Sequence, residues 1–478
     1  MKTIFKTLIL LALAFPLFTS CKMDVDLHHN KEVKDATSSP QDIKNIMNGA
    51  FNQFASYRFY GRNYILIGDI SGGISTASPN YGWFMSYETW TFADTERELN
   101  DLYSSGFVVI DACTRGIKGA KELIAAKTKE LETAQGTKKD KLMGDIYELN
   151  TYLPQFYSLK AFTYFCLSNL FAKCYAPDHL NDLGLVLVKD ETIEPNTTLH
   201  RSTVKETYDY ILELIGMAEA FDADYFDSNL SPTTFNPVNI KALKARVLLY
   251  MRDYEGAKTA ADEVIAALGD GALSANAYVG RWHSTALDME DLFTLPKSDI
   301  DNLSANSLNT MYSTYNAGIN FDPEELFGEN DFRTGLIDFA SGHPMKFDGT
   351  RTSQVVTNIP VIRKSEVFLI AAEAKAQLND INGAYEALNY TASRDASFAE
   401  TQLTTKEQFI DFIANERIRE FFQEGHRWYD LRRMDLTVTL NGVENYRPSE
   451  FVFPIPASEI NAGQMTEQNP DWKDHLPK

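Results

Sequence analysis

Glu416, Glu420 and Glu424 recur every four residues, and Asp430 follows, within the stretch Asn415–Asp435. Carboxylates on one helix face can act as a general acid and a general base. Here, however, Arg417, Arg419, Arg427, Arg432 and Arg433 stand among them, interleaved with Phe421, Phe422, Trp428, Tyr429 and Leu431. An arginine beside a carboxylate holds it ionised and lowers its pKa, whereas a general acid needs the opposite shift. The pattern therefore predicts a partly buried helix held by ion pairs at three- and four-residue spacing. Gly425 lets that helix end or bend. The reading is a structural salt-bridge network, not a catalytic pair.

Aromatic rings and amides offer a second chemistry. Residues 58–96 contain Gly61, Gly68, Gly72, Gly73, Pro79 and Gly82, so they cannot form one regular element. The same segment carries Tyr60, Tyr64, Tyr81, Trp83, Phe84, Tyr87, Trp90 and Phe92. A second insertion, 278–351, carries Trp282, Asn302, Asn306, Asn309, Tyr312, Tyr315 and Asn316. Flat rings stack on sugar C–H groups, and amides hydrogen-bond hydroxyls. Irregular segments hung on helices are where binding surfaces lie. The candidate ligand-binding residues are Trp83, Trp90, Tyr81, Asp69 and Asn80 from the first segment, and Trp282, Asn302, Tyr312, Tyr315 and Asn316 from the second. The competing reading is that the rings plug the helical core and the asparagines merely form loops.

Other constellations are weak. There is no His-Glu-x-x-His and no phosphate loop, and Gly73-Ile-Ser-Thr-Ala77 lacks the last glycine of a nucleophile elbow. Asp299-Ile-Asp301-Asn302 lacks the spaced glutamate and turn glycine of a calcium loop and reads as a polar turn. His28 and His29 read as solvated. Cys113, Cys166 and Cys174 show no zinc spacing. Cys166 and Cys174 on one helix would lie ~12 Å apart, too far for a bridge, so all three read as buried small hydrophobes. No cofactor and no metal are expected.

The elements that must position these residues are mostly helices. Ser39-Pro40-Gln41-Asp42 is a helix start. Leu99 to Leu131 reads as helix, Glu132 to Lys141 as a polar turn, and Ile146 to Phe171 as a long apolar helix. Leu185 to Val188 reads as a short strand, and Leu287 to Leu295 as including another. Thr203 and Glu206 form a capping box, and Thr404 with Glu407 opens a later helix. Ala245 and Ala257, and again Ala372 and Ala384, place small residues twelve apart across a polar turn. That spacing lets antiparallel helices approach closely and resembles the tetratricopeptide repeat, without its consensus Trp and Pro. The expectation is a mainly α chain. Four tetratricopeptide-like helix pairs, near 43–125, 146–220, 239–267 and 362–422, form an α-solenoid supporting an irregular loop-rich subdomain with a few short strands. The tail from Phe451, with Pro454 and Pro456, reads as extended.

The 478 residues carry 44% hydrophobic and 12% aromatic residues and a net charge of −21. Such a chain repels phosphate backbones, so nucleic acid is excluded as a partner. Residues 1–20 read as a secretion signal, with Lys2 and Lys6 before the apolar run Leu8 to Phe15, too short to span a bilayer. Phe18-Thr-Ser-Cys21 resembles a bacterial lipobox, which makes Cys21 a lipidation site and the chain membrane-anchored without spanning. Residues 21–38 then read as a tether, and 39–478 as a single domain.

Three motifs together resemble one family. They are Glu416-Arg417…Glu420…Glu424-Gly425…Arg427…Asp430-Leu-Arg-Arg433, Arg363-Lys-Ser-Glu366…Ala-Glu373-Ala, and Phe453-Pro-Ile-Pro456…Gln468-Asn-Pro470. The first and last lie in a closing region, 415–478, that looks like the C-terminal signature of the SusD/RagB family, surface lipoproteins of Bacteroidetes-type bacteria that capture nutrients, mostly glycans. The acids after Cys21, Asp24 and Asp26, resemble the surface-export signal of such lipoproteins. One departure is Asn389-Tyr-Thr-Ala-Ser-Arg394, where the family more often has an Asn-x-x-Arg run. The resemblance implies four tetratricopeptide-like pairs and an outer-membrane lipid anchor facing the cell exterior. It also implies a SusC-like TonB-dependent transporter as partner, over which the protein closes as a hinged lid. In the family the signature holds the fold and does not bind ligand, and ligand residues vary, so none is transferred.

The leading expectation is a non-catalytic glycan-binding lipoprotein. Alternatives are a peptide-capturing member of the same family and a tetratricopeptide scaffold for protein partners. A third is a glycoside hydrolase, which needs two carboxylates about 5–9.5 Å apart across a cleft.

Overall fold

The computed structural model describes residues 37–189, 197–350, 352–462 and 467–477. The signal segment 1–20, Cys21 and the tether up to residue 36 lie outside the described residues.

Helix α1 (Pro40–Phe54) starts as its sequence dictates: the Ser39 side chain accepts from the Asp42 amide, and Pro40 occupies the first turn. After α2 (Asn63–Ser71) and the short α3 (Met85–Glu88), two long helices, α4 (Arg97–Leu131) and α5 (Gly136–Phe171), form an antiparallel hairpin. Their contact is tight. A Cβ on Gly116 would meet the Phe156 ring at 2.3 Å, so only glycine allows that ring to seat. The polar turn between them is shorter than its composition suggests, because α5 already begins at Gly136.

Helix α6 (Val204–Glu219) opens with both bonds of the Thr203–Glu206 capping box. The expected strand at Leu185–Val188 is not formed. Gly184 and Leu185 share backbone bonds with Ser202, just before α6 begins, but the Leu185 and Val188 amides donate to the Thr207 and Tyr164 hydroxyls, so no ladder forms. Helices α7 (Pro237–Tyr250) and α8 (Tyr254–Leu268) turn at Asp253, which caps α8 through the Gly256 amide. After the short α9 (Ala275–Arg281), β1 (Asp291–Leu295) leads into the second insertion. That insertion carries α10 (Pro323–Leu326) and a hairpin of β2 (Ile337–Asp338) and β3 (His343–Pro344). Strand β4 (Ile359–Arg363) then pairs antiparallel with β1. Helices α11 (Lys364–Gln377) and α12 (Ile381–Ala392) repeat the α7–α8 turn, with Asp380 capping through the Gly383 amide. Ala245, Ala257, Ala372 and Ala384 are all fully buried, so the twelve-residue spacing marks where paired helices touch. The architecture is the mainly helical, tetratricopeptide-like one expected.

Helix α13 (Lys406–Phe421) is capped by Thr405 with Gln408, one residue later than Thr404 and Glu407, because the Gln408 side chain reaches back to both threonine amides. Helix α14 (Arg427–Arg433) and the hairpin β5 (Val438–Leu440) with β6 (Val443–Tyr446) follow. The tail is extended through Pro456 and then forms a short helix, α15 (Ala457–Asn461). It closes over the end of α5: Phe453 donates to the Leu170 carbonyl, and Asn469 donates to Phe171 and Phe453. Among the described residues no helix is long and apolar enough to cross a membrane.

Candidate functional site

The charged C-terminal motif builds a buried network. Glu420, from α13, accepts from Arg363 at 2.7 Å, Arg394 at 2.9 Å and Arg333 at 3.1 Å. Arg363 also reaches Glu424 at 2.7 Å, and Arg333 reaches Glu416 and Asp331, each at 2.7 Å. Lys346 bonds Glu424 at 2.8 Å. A second knot places Asp430 between Arg417 and Arg433, with Arg433 on Glu373. Burial pushes the Glu420 carboxyl toward its neutral form, but Arg394, Arg363 and Arg333 overturn that and hold it well below the usual carboxylate range. A carboxyl so held does not donate a proton near neutrality. Arg394, from the departing Asn389–Arg394 segment, is a full member of the cluster and also bonds the Tyr390 carbonyl.

Asp69 belongs to this frame and not to a ligand surface. It is fully buried and accepts from the Gly425 amide at 3.0 Å and the Arg427 amide at 3.4 Å. Burial pushes its carboxyl up to about 7. Gly425 sits at φ +79°, and a Cβ there would meet the Ile65 Cα at 2.5 Å. The bend between α13 and α14 therefore closes directly onto α2.

Three of the other candidates are core residues. Trp90 is 2% exposed and packs on Trp428 and Phe451, each 5.3 Å away. Trp282 is 1% exposed, under the Lys346 ammonium at 4.8 Å. Tyr312 is fully buried and stacks on Phe347. Their rings fill the space between the insertions and the helices, which sequence cannot distinguish from a sugar platform. Asn302 donates to the Ser298 and Asp299 carbonyls and accepts from the Ser304 amide. Its amide closes its own loop, so 299–302 is the polar turn expected. Among the described residues, no three His, Cys, Asp or Glu side chains are grouped to hold a metal ion. Cys113, Cys166 and Cys174 are free and buried.

The remaining candidates converge. The two insertions are stitched together where the Thr76 amide donates to Gly318, the Gly318 amide donates to the Thr76 hydroxyl at 2.8 Å, and the Asn320 amide donates to Ile74. The Ser78 hydroxyl donates to the Tyr315 carbonyl. This seam brings Tyr315 within 4.6 Å of Tyr81, ring to ring, and parallel to Trp83 at 6.4 Å and 6°. Tyr81 is 57% exposed, Trp83 and Tyr315 are half-buried, and Asn80 and Asn316 are exposed beside them. The result is an open aromatic face flanked by two amides.

Sequence reading missed what lies beneath it. Arg62, buried, places its guanidinium 5.5 Å from the Trp83 ring, 5.4 Å from Phe84 and 4.8 Å from Tyr57. It also donates to the Asn306 side chain at 3.0 Å. Burial pulls its pKa down to about 10. The one signal available was an arginine set among tyrosines with no acid within four residues.

Comparison with known proteins agrees with this architecture. Residues 329–450 match the family model described as the SusD family. The SusD-like protein P38 of Formosa agariphila is 23% identical over 390 residues, 66% of this chain and 73% of that protein. A SusD superfamily protein from Bacteroides thetaiotaomicron superimposes with a TM-score of 0.77 at 23% identity, covering 90% of this chain and all of the other. A putative sugar binding protein from Bacteroides vulgatus gives 0.76 at 21% identity, covering 91% and 99%. A SusD-like carbohydrate binding protein from the same species gives 0.68 at 20%, covering 84% of each chain. The segment that matches the SusD family model contains the Arg333, Arg363, Arg394 and Glu420 hub, and the fold surrounding that hub is the one these solved structures share.

Proposed function

We propose that this protein is a non-catalytic nutrient-binding lipoprotein that captures a glycan on the face formed by Tyr81, Trp83 and Tyr315. The observation that carries the reading is the convergence of two separate insertions on one exposed aromatic surface with Asn80 and Asn316 at its edge. Rings present apolar faces to sugar C–H groups while amides bond hydroxyls, and the family's sugar- and carbohydrate-binding relatives support the same ligand class. The acids of the C-terminal motif are ion-paired in the core, which leaves them no part in glycoside hydrolysis.

In this reading Cys21 carries the lipid, the protein sits on the outer face of the outer membrane, and the captured glycan passes to a SusC-like TonB-dependent transporter. The supports are the lipobox-like Phe18–Cys21 sequence and the match of residues 329–450 to the SusD family model.

The test is a titration of the chain lacking residues 1–21 with a panel of polysaccharides, oligosaccharides and peptides, followed by tryptophan fluorescence. Saturable binding of one glycan, lost in Trp83→Ala, is expected. Binding of peptides alone would replace the glycan with a peptide ligand. Co-purification of a TonB-dependent barrel with the lipidated protein tests the transporter partnership.

A further inference from the structure

A cavity of about 280 Å³ lies on another part of the molecule, between the chain leaving α5 and the C-terminal tail. Its wall includes Trp472, Lys173, Glu450, Asn181, Asp182 and His475, none of which belongs to the aromatic face described above. Its size is near the lower end of small-ligand cavities, which run from about 300 Å³ upward. It therefore has room for a single small ring and not for a chain.

The groups around it are unevenly committed. Trp472 is 7% exposed, its ring parallel to Phe92 at 6.1 Å and 10° and the Lys473 ammonium 5.3 Å from its centroid, so it meets the cavity with its edge. Lys173 donates to the Glu450 carbonyl at 2.6 Å and lies 3.5 Å from its carboxylate, so that pair is largely neutralised. By contrast, the side chains of Asn181, Asp182 and His475 have no hydrogen-bond partner among the described residues, and both Asn181 and Asp182 are exposed. One carboxylate in excess, Asp182, disfavours an anionic ligand. An indole edge with an amide, a carboxylate and an imidazole around the same cavity matches a small neutral polyol ring: the apolar C–H side meets the indole, and adjacent hydroxyls meet Asn181 and Asp182.

We infer that this cavity is a second, independent saccharide site that takes one uncharged sugar unit, with Trp472 as its apolar wall and Asp182 and Asn181 as hydroxyl partners. The site goes beyond the glycan face proposed above and stands without it.

The five tryptophans, at 83, 90, 282, 428 and 472, allow a direct test. The chain lacking residues 1–21, which contains every described residue, is labelled with 5-fluorotryptophan, and the resonances are assigned with single Trp→Phe variants. It is then titrated with the methyl glycosides of glucose, galactose and xylose and with N-acetylglucosamine. The expected result is a saturable shift of the Trp472 resonance with at least one of these, weakened at least tenfold by Asp182→Asn and unchanged by Trp83→Phe. The resonances of buried Trp90, Trp282 and Trp428 stay fixed and report an intact fold. A Trp472 resonance that none of the four sugars moves overturns the second site, as does a shift that Asp182→Asn leaves intact. Movement of the Trp83 resonance is read separately, so loss of either site is distinguishable from loss of the other.

Discussion

The indole of Trp83 and the phenol of Tyr315 lie parallel at 6.4 Å and 6°, although they come from different insertions. The seam between 74–78 and 315–320 ties the two segments together beside these rings. Trp83→Ala and Tyr315→Ala are each expected to weaken glycan capture at least tenfold, ~1.4 kcal/mol, with little change in thermal midpoint. Isothermal titration with the glycan found by the panel checks this. The same substitution at Trp90, which is 2% exposed, is expected instead to cost about 3–5 kcal/mol of stability.

Arg62 holds the underside of that face. Arg62→Met keeps much of the side-chain length but loses the charge facing Trp83 and the bond to Asn306. Contacts of this kind are worth roughly 1–2 kcal/mol when desolvated. The expected outcome is weaker glycan binding together with an altered near-ultraviolet circular dichroism signal from Trp83. Arg62→Lys should restore part of both. Unchanged binding and spectra in Arg62→Met would show that the seam alone positions the ring.

Glu420 is where three arginines meet. Glu420→Gln preserves shape but leaves Arg363, Arg394 and Arg333 short of one buried negative charge. Removing one member of a buried ion pair typically costs ~3–5 kcal/mol. Urea denaturation of the variant should show at least that loss. Adding Arg394→Met to it should cost less than the two single effects combined, because the two groups are partners.

Asp69 gives the pH dependence a sign opposite to that of the network. Its native carboxyl titrates at about 7, above its ordinary value of 3.8. Between those values the native state binds more protons than the unfolded chain, so stability falls as pH rises through this window, by at most ~1.4 kcal/mol per pH unit. Asp69→Asn should flatten that slope between pH 4 and 7, as measured by denaturation across the range. Glu416, Glu420 and Asp430, all held low by arginines, act the other way. Their stabilisation is present above the ordinary carboxylate range and is lost as pH falls through their depressed values, giving acid unfolding below about pH 4 in both proteins.

Much of the fold was legible because its signals are local. The Ser39 cap, the Thr203–Glu206 box and the alanines twelve apart each depend on residues within one or two helices. The ion-paired role of Glu420 was also legible, because an arginine beside an acid has a direction of effect that does not depend on the fold. The ligand face was legible only in part. Tyr81, Trp83 and Tyr315 meet in the open, whereas Trp90, Trp282 and Tyr312 turn inward, and composition is the same in both cases. What separates them is the seam at Thr76 and Gly318, a long-range backbone pairing with no sequence signature. Arg62 went unnoticed because Trp83 and Phe84, more than twenty residues on, fold back over it, and Asn306 reaches it from the second insertion.

The Glu420 hub also has a consequence for biogenesis. Arg333, Arg363 and Arg394 all precede Glu416, Glu420 and Glu424 in the chain, and among the described residues their remaining acidic partners are Glu290 and Asp331. A growing chain that has not yet delivered α13 therefore holds three cationic side chains in a core without enough counter-charge. The central packing cannot settle until the last fifth of the polypeptide arrives. Folding of the core is in this way deferred until nearly the whole chain has been made.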